Sequence, residues 1–506
     1  MKKILKLFLI LVFLLLITNI NVNAFSFKEI FESKDGFFIK LFNSIFKEDV
    51  KSMKINSYKN GLDDIPYQEG WPIYIGNIEG ISSSVIGDIN NDGYSEIIIG
   101  SPGPSQIGGI INVWNYNGTI INGFPFNIDN PIYSSPALSD INNDGYLDII
   151  FNDQYENIYV IDHNGNLLPG WPQQTTNIDN HQLAITVDDI DNDGYMEIIT
   201  TAHLPGYLDD MLYVFEHNGN LKQNFPISVS DGITYSSPAI ADLDNDGNKE
   251  IIVASSEGDS NELSDNFIFV FESNGSLKQN FPITLDENIL HSEILSSPVV
   301  ADINNDGSKE IIIGTRGNKI YIIDSNGNFL MGWPQDTTGY IDNSPAVGDI
   351  NNDGYLEIFV GAGTTVYGWN YNGINLQGFP IFNNGLLVYS STIIGDIDSD
   401  NNVEILIGSF DHNLYAWHHN GIVVDEFPIE LDYEIAATLT LSDIDNDGDI
   451  EGILPSKGGW IYIWDFEGNP LNLEWPMFQN NIQHTGLYDK KISPIKRILI
   501  NYNVSK

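Results

Sequence analysis

The sequence contains no cysteine among its 506 residues. Disulfide bonds and thiolate metal sites are therefore both excluded, and the redox compartment cannot be inferred from cysteine usage. A folded chain of this length needs another means of cross-linking, and bound ions are one that the remaining composition allows.

Positive charge is also scarce. Lys and Arg together number 22 against 69 Asp and Glu, which gives a formal net charge of −47 at pH 7. Such a surface repels nucleic acid and anionic lipid headgroups through simple Coulomb forces. We therefore expect no nucleic-acid partner.

Long apolar runs are confined to the N-terminus. Lys2, Lys3 and Lys6 precede or flank the apolar run 7–17, and the small residues of Val22-Asn23-Ala24 follow it. This run is too short to span a bilayer comfortably and is typical of a secretory signal. We predict a signal peptide over residues 1–24, with an uncleaved anchor as the alternative. The mature chain should have no integral membrane span and should be secreted or held at the cell surface.

What the sequence does contain is a nine-residue acidic motif in eight copies. The first is Asp88-Ile-Asn-Asn-Asp-Gly-Tyr-Ser-Glu96, with Asp at positions one and five, Asn or Asp at three and an acid at nine. This spacing predicts a loop around one hard cation. Side-chain oxygens at one, three and five, a backbone carbonyl at seven and a carboxylate at nine would supply the ligands. Gly at position six supplies the sharp turn, except in the seventh copy, where Asn401 should weaken binding.

We predict that these loops bind Ca²⁺, up to eight ions in all. Donor sets made only of oxygen favour calcium over zinc or copper, and magnesium would require a tighter octahedron. The alternative is a metal-free turn held by Asx hydrogen bonds, which leaves the acid at position nine unexplained. The predicted ligands are Asp88, Asn90, Asp92, Tyr94, Glu96, Asp140, Asn142, Asp144, Tyr146, Asp148, Asp189, Asp191, Asp193, Tyr195, Glu197, Asp242, Asp244, Asp246, Asn248, Glu250, Asp302, Asn304, Asp306, Ser308, Glu310, Asp349, Asn351, Asp353, Tyr355, Glu357, Asp396, Asp398, Asp400, Asn402, Glu404, Asp443, Asp445, Asp447, Asp449 and Glu451.

Each motif belongs to a longer repeat. An apolar strand enters the loop, a β-branched strand leaves it, and an aromatic-rich third strand follows. Next come a two-residue turn, Asn-Gly in seven repeats and Glu467-Gly468 in the last, and a strand ending in Phe-Pro or Trp-Pro. Asn-Gly between alternating strands is typical of a hairpin. Four short antiparallel strands per repeat predict an all-β fold, a β-propeller over residues 67–487 with the calcium loops between the first and second strands. We expect eight blades, with seven as the alternative.

The blade topology also predicts two different faces. Loops alternate sides in an up-and-down sheet, so the acidic loops share one face and the connections between second and third strands share the other. Those connections are longest in the first, third and fourth repeats. Either Trp71-Pro72 or Trp475-Pro476 should pair the chain ends and close the ring. Residues 25–66 should form a helical or irregular segment, as a cap on the propeller edge or a membrane-surface attachment, and residues 488–506 a basic tail.

The repeated residues resemble a known family. The segment from Ser236-Ser-Pro-Ala-Ile-Ala-Asp242 to Glu250-Ile-Ile-Val resembles the FG-GAP or VCBS-type calcium repeats of secreted bacterial and archaeal proteins, relatives of the integrin α-chain propeller. The resemblance spans about residues 70–487. It implies a propeller fold and calcium ligands at the positions given above, and it implies adhesion by analogy alone. A full Phe-Gly…Gly-Ala-Pro signature is missing, and integrin propellers have seven blades with metal in only some.

Three functions remain open at this point. The first is a secreted or surface-attached, non-enzymatic binding or adhesion module for an extracellular protein or glycan. The alternative is a calcium-dependent polysaccharide lyase or hydrolase on an eight-bladed propeller, with His181, His203, His291 or Tyr207 as a candidate base. The third is a structural component of a surface layer. The shortage of Lys and Arg argues against an acidic substrate, so we favour the binding module.

Overall fold

The computed structural model describes residues 65–489, apart from residues 77–81, 104–105, 176–183, 205–207, 231, 234–235, 258–262, 291–292 and 383–387. The predicted signal peptide, nearly all of the predicted segment 25–66 and all but two residues of the predicted tail 488–506 lie outside the described residues. In the part of the chain that is described, no helix has the length and apolar character needed to cross a membrane.

The described strands form eight antiparallel sheets, one for each repeat. The first strand of the chain, β1 (Ile73–Tyr74), belongs to the last sheet. Blade 1 comprises β2 (Val85–Gly87), β3 (Glu96–Pro102), β4 (Gly109–Asn115) and β5 (Phe126–Ile128), and blade 2 comprises β6 (Ala137–Ser139), β7 (Asp148–Asn152), β8 (Asn157–Ile161) and β9 (Gln173–Gln174). Blade 3 comprises β10 (Thr186–Asp188), β11 (Glu197–Leu204), β12 (Leu208–Phe215) and β13 (Ile227–Ser230). Blade 4 comprises β14 (Gly232–Ile233), β15 (Ala239–Ala241), β16 (Glu250–Glu257), β17 (Leu263–Glu272) and β18 (Ile283–Leu290).

Blade 5 comprises β19 (Val299–Ala301), β20 (Glu310–Thr315), β21 (Lys319–Ile323) and β22 (Gln335–Asp336), and blade 6 comprises β23 (Ala346–Gly348), β24 (Glu357–Ala362), β25 (Thr365–Trp369) and β26 (Ile381–Phe382). Blade 7 comprises β27 (Ile393–Gly395), β28 (Glu404–Gly408), β29 (Asn413–His418) and β30 (Ile429–Glu430), joined by β34 (Leu473–Trp475). Blade 8 comprises β31 (Thr440–Ser442), β32 (Ile450–Pro455) and β33 (Trp460–Phe466) with β1. The strands of each repeat pair in sequential order from the inner to the outer edge, apart from β14, which pairs with the far end of β16. The predicted eight-bladed, all-β propeller is confirmed, and the seven-bladed alternative is wrong.

The core lies between the blades. In blade 1 the second strand contributes Ile97, Ile98 and Ile99, all fully buried. Successive side chains of a strand point to opposite faces, so burial of all three means that both faces of the sheet are covered. Neighbouring blades supply that cover, which explains why these strands are continuous β-branched runs rather than alternating ones.

The outer strands differ from the prediction in one respect. After the Asn117-Gly118 turn, blade 1 forms only an isolated bridge between Trp114 and Ile120, and the outer strand β5 begins after Phe124-Pro125. The prediction that the outer strand ends in Phe-Pro or Trp-Pro was therefore wrong. Proline has no N–H to donate to a ladder, and it is tolerated just before the start of an edge strand.

The ring is closed by the N-terminal end of the described chain. β1 pairs with β33 in the register Ile73↔Ile461 and Tyr74↔Trp460, so it is the outer strand of blade 8. Trp71-Pro72 precedes this strand, and the Trp71 indole N–H donates to the Tyr116 carbonyl of blade 1 at 2.7 Å. One of the two predicted closing segments therefore closes the ring.

The other segment, Trp475-Pro476, lies at the inner edge of the blades. β34 pairs with β27, the innermost strand of blade 7. Carbonyls of residues 476, 482, 483, 485 and 486 then accept hydrogen bonds from the inner strands of blades 8, 2, 3, 4 and 5, at 2.8 to 2.9 Å. Residues 473–488 therefore form a segment that follows the inner edges of the blades, and we call it the axial segment. The sequence did not predict it.

Three blades carry hairpins that extend beyond the others. The second and third strands have 7 and 7 residues in blade 1, 8 and 8 in blade 3, and 8 and 10 in blade 4. The same strands have 5 and 5 residues in blade 2 and 6 and 5 in blade 5. The extra residues of these three repeats were predicted to lie in the connections, but many of them lengthen the second and third strands. We call the extended ends of blades 1, 3 and 4 the hairpin rim.

Candidate metal centres

All eight acidic loops connect the innermost strand of a blade to its second strand, as predicted. Backbone N–H groups hold the side chains in the same way each time. In blade 1 the Asp92 N–H donates to Asn90 Oδ1 at 2.8 Å, and the Tyr94 N–H donates to Asp92 Oδ1 at 2.9 Å. The equivalent two bonds are present in each of the other seven loops. These bonds turn the oxygens of positions three and five toward the loop interior.

The acid at position nine is the first residue of the second strand or lies next to it, and it is at most 1% exposed in every blade. One of its oxygens accepts the N–H of position two. The donors Ile89, Ile141, Ile190, Leu243, Ile303, Ile350, Ile397 and Ile444 lie 2.7 to 3.1 Å from that oxygen. The carboxylate therefore ties the start of the loop to the strand that follows it and leaves its second oxygen facing the other acids.

The second oxygen has different partners in different blades. In blades 1, 5 and 6 it accepts the side-chain amide of the Asn at position three, at 2.9 to 3.2 Å. In blade 7 it lies 3.0 Å from His418 Nδ1. In blades 3 and 4 it accepts a lysine ammonium, Lys222 or Lys278. In blades 2 and 8 it has no hydrogen-bond partner among the described residues.

Burial raises the pKa of these position-nine carboxyls. For Glu96 burial is the main cause; the Ile89 hydrogen bond opposes it, the charges of Asp92 and Asp88 add to it, and the pKa is raised to about 8. The pKa is raised to about 8 for Asp148, Glu197, Glu310 and Glu357, to about 9 for Glu404 and Glu451, and to about 6 for Glu250. A cation placed among these carboxyls would favour their ionised form.

The loops fit a calcium ion on two observations. Asp148 Oδ1 and Glu451 Oε1 are buried oxygens of fully buried side chains, and neither has a partner in the described part of the chain. The second observation is that carboxylate oxygens converge. In blade 7, oxygens of Asp396, Asp398 and Glu404 lie within 4.8 Å of one another. Three further groups meet the same limit in blades 3 and 4, where Lys222 or Lys278 already lies among the carboxylates: Asp189, Asp191 and Glu197; Asp193, Glu197 and Glu216; and Asp242, Asp244 and Asp246. Unpaired buried carboxylate oxygens are costly, and a hard cation with oxygen ligands would satisfy them.

Neighbouring loops are joined to one another, which the sequence analysis missed. The Asn143 side-chain amide of blade 2 donates to the Gly194 carbonyl of blade 3 at 3.1 Å. Position-four Asn residues make the same bond between blades 1 and 2, 3 and 4, 4 and 5, and 8 and 1. Position four has φ of 56° to 61° in all eight loops, a conformation that Asn tolerates. The Asn in seven of the eight copies was the signal that could have revealed these bonds.

Comparison with known proteins agrees with this geometry. The family model of the FG-GAP-like repeat matches residues 88–151, 140–200 and 302–360, each of which begins at the first aspartate of a loop. The chain is a β-propeller that contains FG-GAP-like repeats. The FG-GAP propeller fold suggests a binding or adhesion module. None of the curated proteins matches the chain.

Solved structures share the fold of this FG-GAP propeller at low sequence identity. Sqt1 from Saccharomyces cerevisiae is 11% identical with a TM-score of 0.55, over 79% of this chain and 99% of that one. BamB from Moraxella catarrhalis is 12% identical with a TM-score of 0.51, over 79% of this chain and 100% of that one. The Dos1 propeller is 10% identical with a TM-score of 0.50, over 80% and 96%. These likenesses concern the fold alone.

Tyrosines at position seven support the FG-GAP loops from outside. The Tyr195 ring stacks on His217 with centroids 4.2 Å apart, and Tyr146 stacks on His163 at the same distance. Tyr355 stacks on Tyr371 at 4.5 Å. The sequence analysis used only the backbone carbonyl of this position. The structure shows that the side chain anchors that carbonyl to the hairpin of the same blade.

The structure does not describe the side chains of the candidate catalytic bases that the enzyme alternative requires. His181, Tyr207 and His291 lie outside the described residues. The backbone of His203 is in β11, at the hairpin rim, but the described part of this residue does not include its side chain.

Proposed function

We propose that this protein is a secreted or surface-attached calcium-binding propeller that acts as a non-enzymatic binding module for an extracellular protein or glycan. The observation that carries the proposal is the separation of two faces. The acidic loops lie at one end of the second strands, and the hairpin rim lies at the other end. Loops that vary on a repeating scaffold are where binding residues usually lie.

Calcium would serve this module by fixing its scaffold. The position-nine acid joins each loop to the second strand, and in blade 1 that strand continues into the hairpin rim. The chain has no cysteine, so disulfides cannot supply this rigidity. If free calcium is about a hundredfold above a site's dissociation constant, that ion contributes roughly 2.7 kcal/mol of stability.

The binding face can be tested by shortening one hairpin. Ser255 pairs with Phe267 in blade 4 as Thr315 pairs with Lys319 in blade 5, where only Arg316-Gly317-Asn318 intervene. Replacing residues 256–266 with Arg-Gly-Asn would therefore remove the blade 4 part of the hairpin rim and leave the acidic loop intact. The matched control replaces residues 154–156 of blade 2 with the same three residues, since blade 2 has a connection of that length.

Both variants and the unaltered protein would be applied to an array of glycans and cell-surface proteins, in millimolar calcium and in EDTA. We expect capture by the unaltered protein and by the control in calcium, with capture reduced in EDTA and lost in the blade 4 variant. Equal capture by a folded blade 4 variant would contradict the assignment of the hairpin rim as the binding face. Equal capture in EDTA would contradict the role of calcium.

A further inference from the structure

Blades 3 and 4 have a lysine next to the acidic loop where blades 1, 2, 5, 6 and 7 have an apolar residue and blade 8 has the neutral Gln68. Lys222 and Lys278 follow their Asn-Gly turns at the same spacing, and their backbone N–H groups donate to the third strand at 2.9 and 2.8 Å. Leu168 in blade 2 makes the same backbone bond at 2.9 Å, so the side chains start from equivalent positions. The residues at this position in blades 1, 2, 5, 6 and 7 are Ile121, Leu168, Leu330, Leu376 and Val424. In blade 8 Gln68 takes the position: its backbone N–H donates to the Ile463 carbonyl at 3.0 Å, and its side-chain amide donates to Asp445 Oδ2 at 2.7 Å without adding a charge.

The two ammonium groups lie among the loop carboxylates. Lys222 Nζ is 2.7 Å from Asp191 Oδ2 and 3.1 Å from Glu197 Oε1, which belong to positions three and nine. The lysine side chain is only 10% exposed, and Glu197 is fully buried. Lys278 makes the same two contacts in blade 4, at 2.7 Å from Asp244 Oδ2 and 2.9 Å from Glu250 Oε1.

A third carboxylate completes each lysine site. Glu216 Oε1 lies 3.2 Å from Lys222 Nζ, and Glu272 Oε1 lies 3.4 Å from Lys278 Nζ. Both glutamates occupy the position two residues before the Asn of the hairpin turn, where the other repeats have Asn, Asp or His. The lysine and this glutamate therefore occur together, in the same two blades, and neither residue type is found at its position in another repeat of the sequence. This pairing is the arrangement expected of a built ion-pair site.

An ammonium in this position competes with a divalent ion. It contacts two of the five predicted ligand positions, three and nine, and it uses the oxygen of the position-nine acid that faces the loop. Calcium would need oxygens from these same two positions at about 2.3 to 2.6 Å. Binding would therefore place the divalent ion directly beside the lysine ammonium, and the two cations would repel each other. A single positive charge already neutralises part of each acidic cluster.

We infer that lysine ammonium groups, rather than calcium, close the loops of blades 3 and 4, so that the protein binds calcium in its other six loops at most. The inference rests on the calcium binding proposed above and assigns it to particular blades. The lysine-closed blades are adjacent, and they carry the longest hairpins of the rim. This part of the rim would therefore keep its support at low calcium, while the rest of the ring responds to the ion.

The test is a count of bound calcium by equilibrium dialysis, on the full mature chain at saturating calcium and pH 7.5. Lys222→Leu and Lys278→Leu place in blades 3 and 4 the residue found in blades 2, 5 and 6, so the blade can accommodate it. We expect six ions or fewer in the unaltered protein, one more in each variant and two more in the double variant. Leu330→Lys is the reciprocal change in blade 5. Lys319→Leu, whose ammonium pairs with Asp336 on the outer strand, is the control and should leave the count unchanged.

Melting temperatures in EDTA provide a second readout. Each lysine variant should melt several degrees lower than the unaltered protein, because three carboxylates lose their cation, and calcium should restore the difference. Eight ions in the unaltered protein, or an unchanged count in the lysine variants, would overturn this inference and leave the proposed function standing. No calcium uptake by any of the proteins would overturn both.

Discussion

Glu451→Gln is the most direct test of calcium binding at a single loop. Glu451 is fully buried, its Oε2 accepts the Ile444 N–H at 2.7 Å, and its Oε1 has no partner among the described residues. Burial, with the charges of Asp445 and Asp443, raises the pKa of this carboxyl to about 9. Glutamine keeps the shape and one oxygen to accept the Ile444 N–H, and it replaces the charged oxygen Oε1 with a neutral NH₂ group.

The magnitude follows from two physical estimates. An ion at about a hundred times its dissociation constant stabilises the fold by roughly 2.7 kcal/mol. Two unit charges about 4 Å apart attract by about 4 kcal/mol at an effective dielectric of about 20, and a divalent ion doubles that figure. The attraction lost with one carboxylate is therefore larger than the free energy of stabilisation that the bound ion provides. We expect the variant to lose about 2.7 kcal/mol of the stabilisation that calcium provides, and to be no less stable than the unaltered protein in EDTA.

The assay is guanidinium unfolding followed by tryptophan fluorescence, in millimolar calcium and in EDTA. The control is Glu434→Gln, which removes a 44% exposed carboxylate paired with Lys457 at 3.0 Å and should not change the response to calcium. A Glu451→Gln protein that responds fully to calcium would refute the assignment of Glu451 as a ligand. A large loss of stability in EDTA would refute the argument that its unpartnered oxygen is costly.

Three further predictions concern the ring and its pH dependence. Trp475→Ala should lower the free energy of unfolding by about 3 to 5 kcal/mol in a denaturant titration, because this side chain of the axial segment is only 1% exposed. The control is Leu471→Ala, whose side chain is 71% exposed and which should cost less than about 0.5 kcal/mol in the same titration. Asn143→Ala removes one bond between adjacent loops and should lower the unfolding free energy by about 1 kcal/mol, with calorimetry as the measurement. The position-nine carboxyls have folded pKa values above the unfolded value, as for Glu96 at about 8 against 4.5, so the metal-free protein should be most stable below about pH 4.5 and should lose that stability as the pH rises through about 8. Denaturation in EDTA at several pH values would check this, and saturating calcium should reverse the trend because calcium requires the ionised form.

The repeat pattern was sufficient to predict the blade. Eight copies of one acidic motif, each followed by a second strand and seven of them by an Asn-Gly turn, predicted the strand order, the number of blades and the loop position. These features are local, because turn geometry and strand alternation depend on residues close in sequence. The closing strand was only narrowed to two candidates, since Trp71-Pro72 and Trp475-Pro476 have the same local pattern. Which of them reaches β33 depends on contacts across the whole ring.

The partners of the position-nine acid were beyond sequence reasoning. Lys222 is 25 residues from Glu197 in the chain, and its apolar counterparts in other blades gave no reason to place it in a loop. The axial segment was missed for the same reason, because its carbonyls pair with inner strands as much as 344 residues away, as the Ile482 carbonyl does with the Leu138 N–H. The amino-acid sequence by itself determined the blade and the oxygen donors of the loops, because both follow from short-range spacing. Only the tertiary structure decided how the ring closes, which segment follows the inner edges of the blades and which loops already contain a positive charge, because those depend on residues that meet only when the blades pack together.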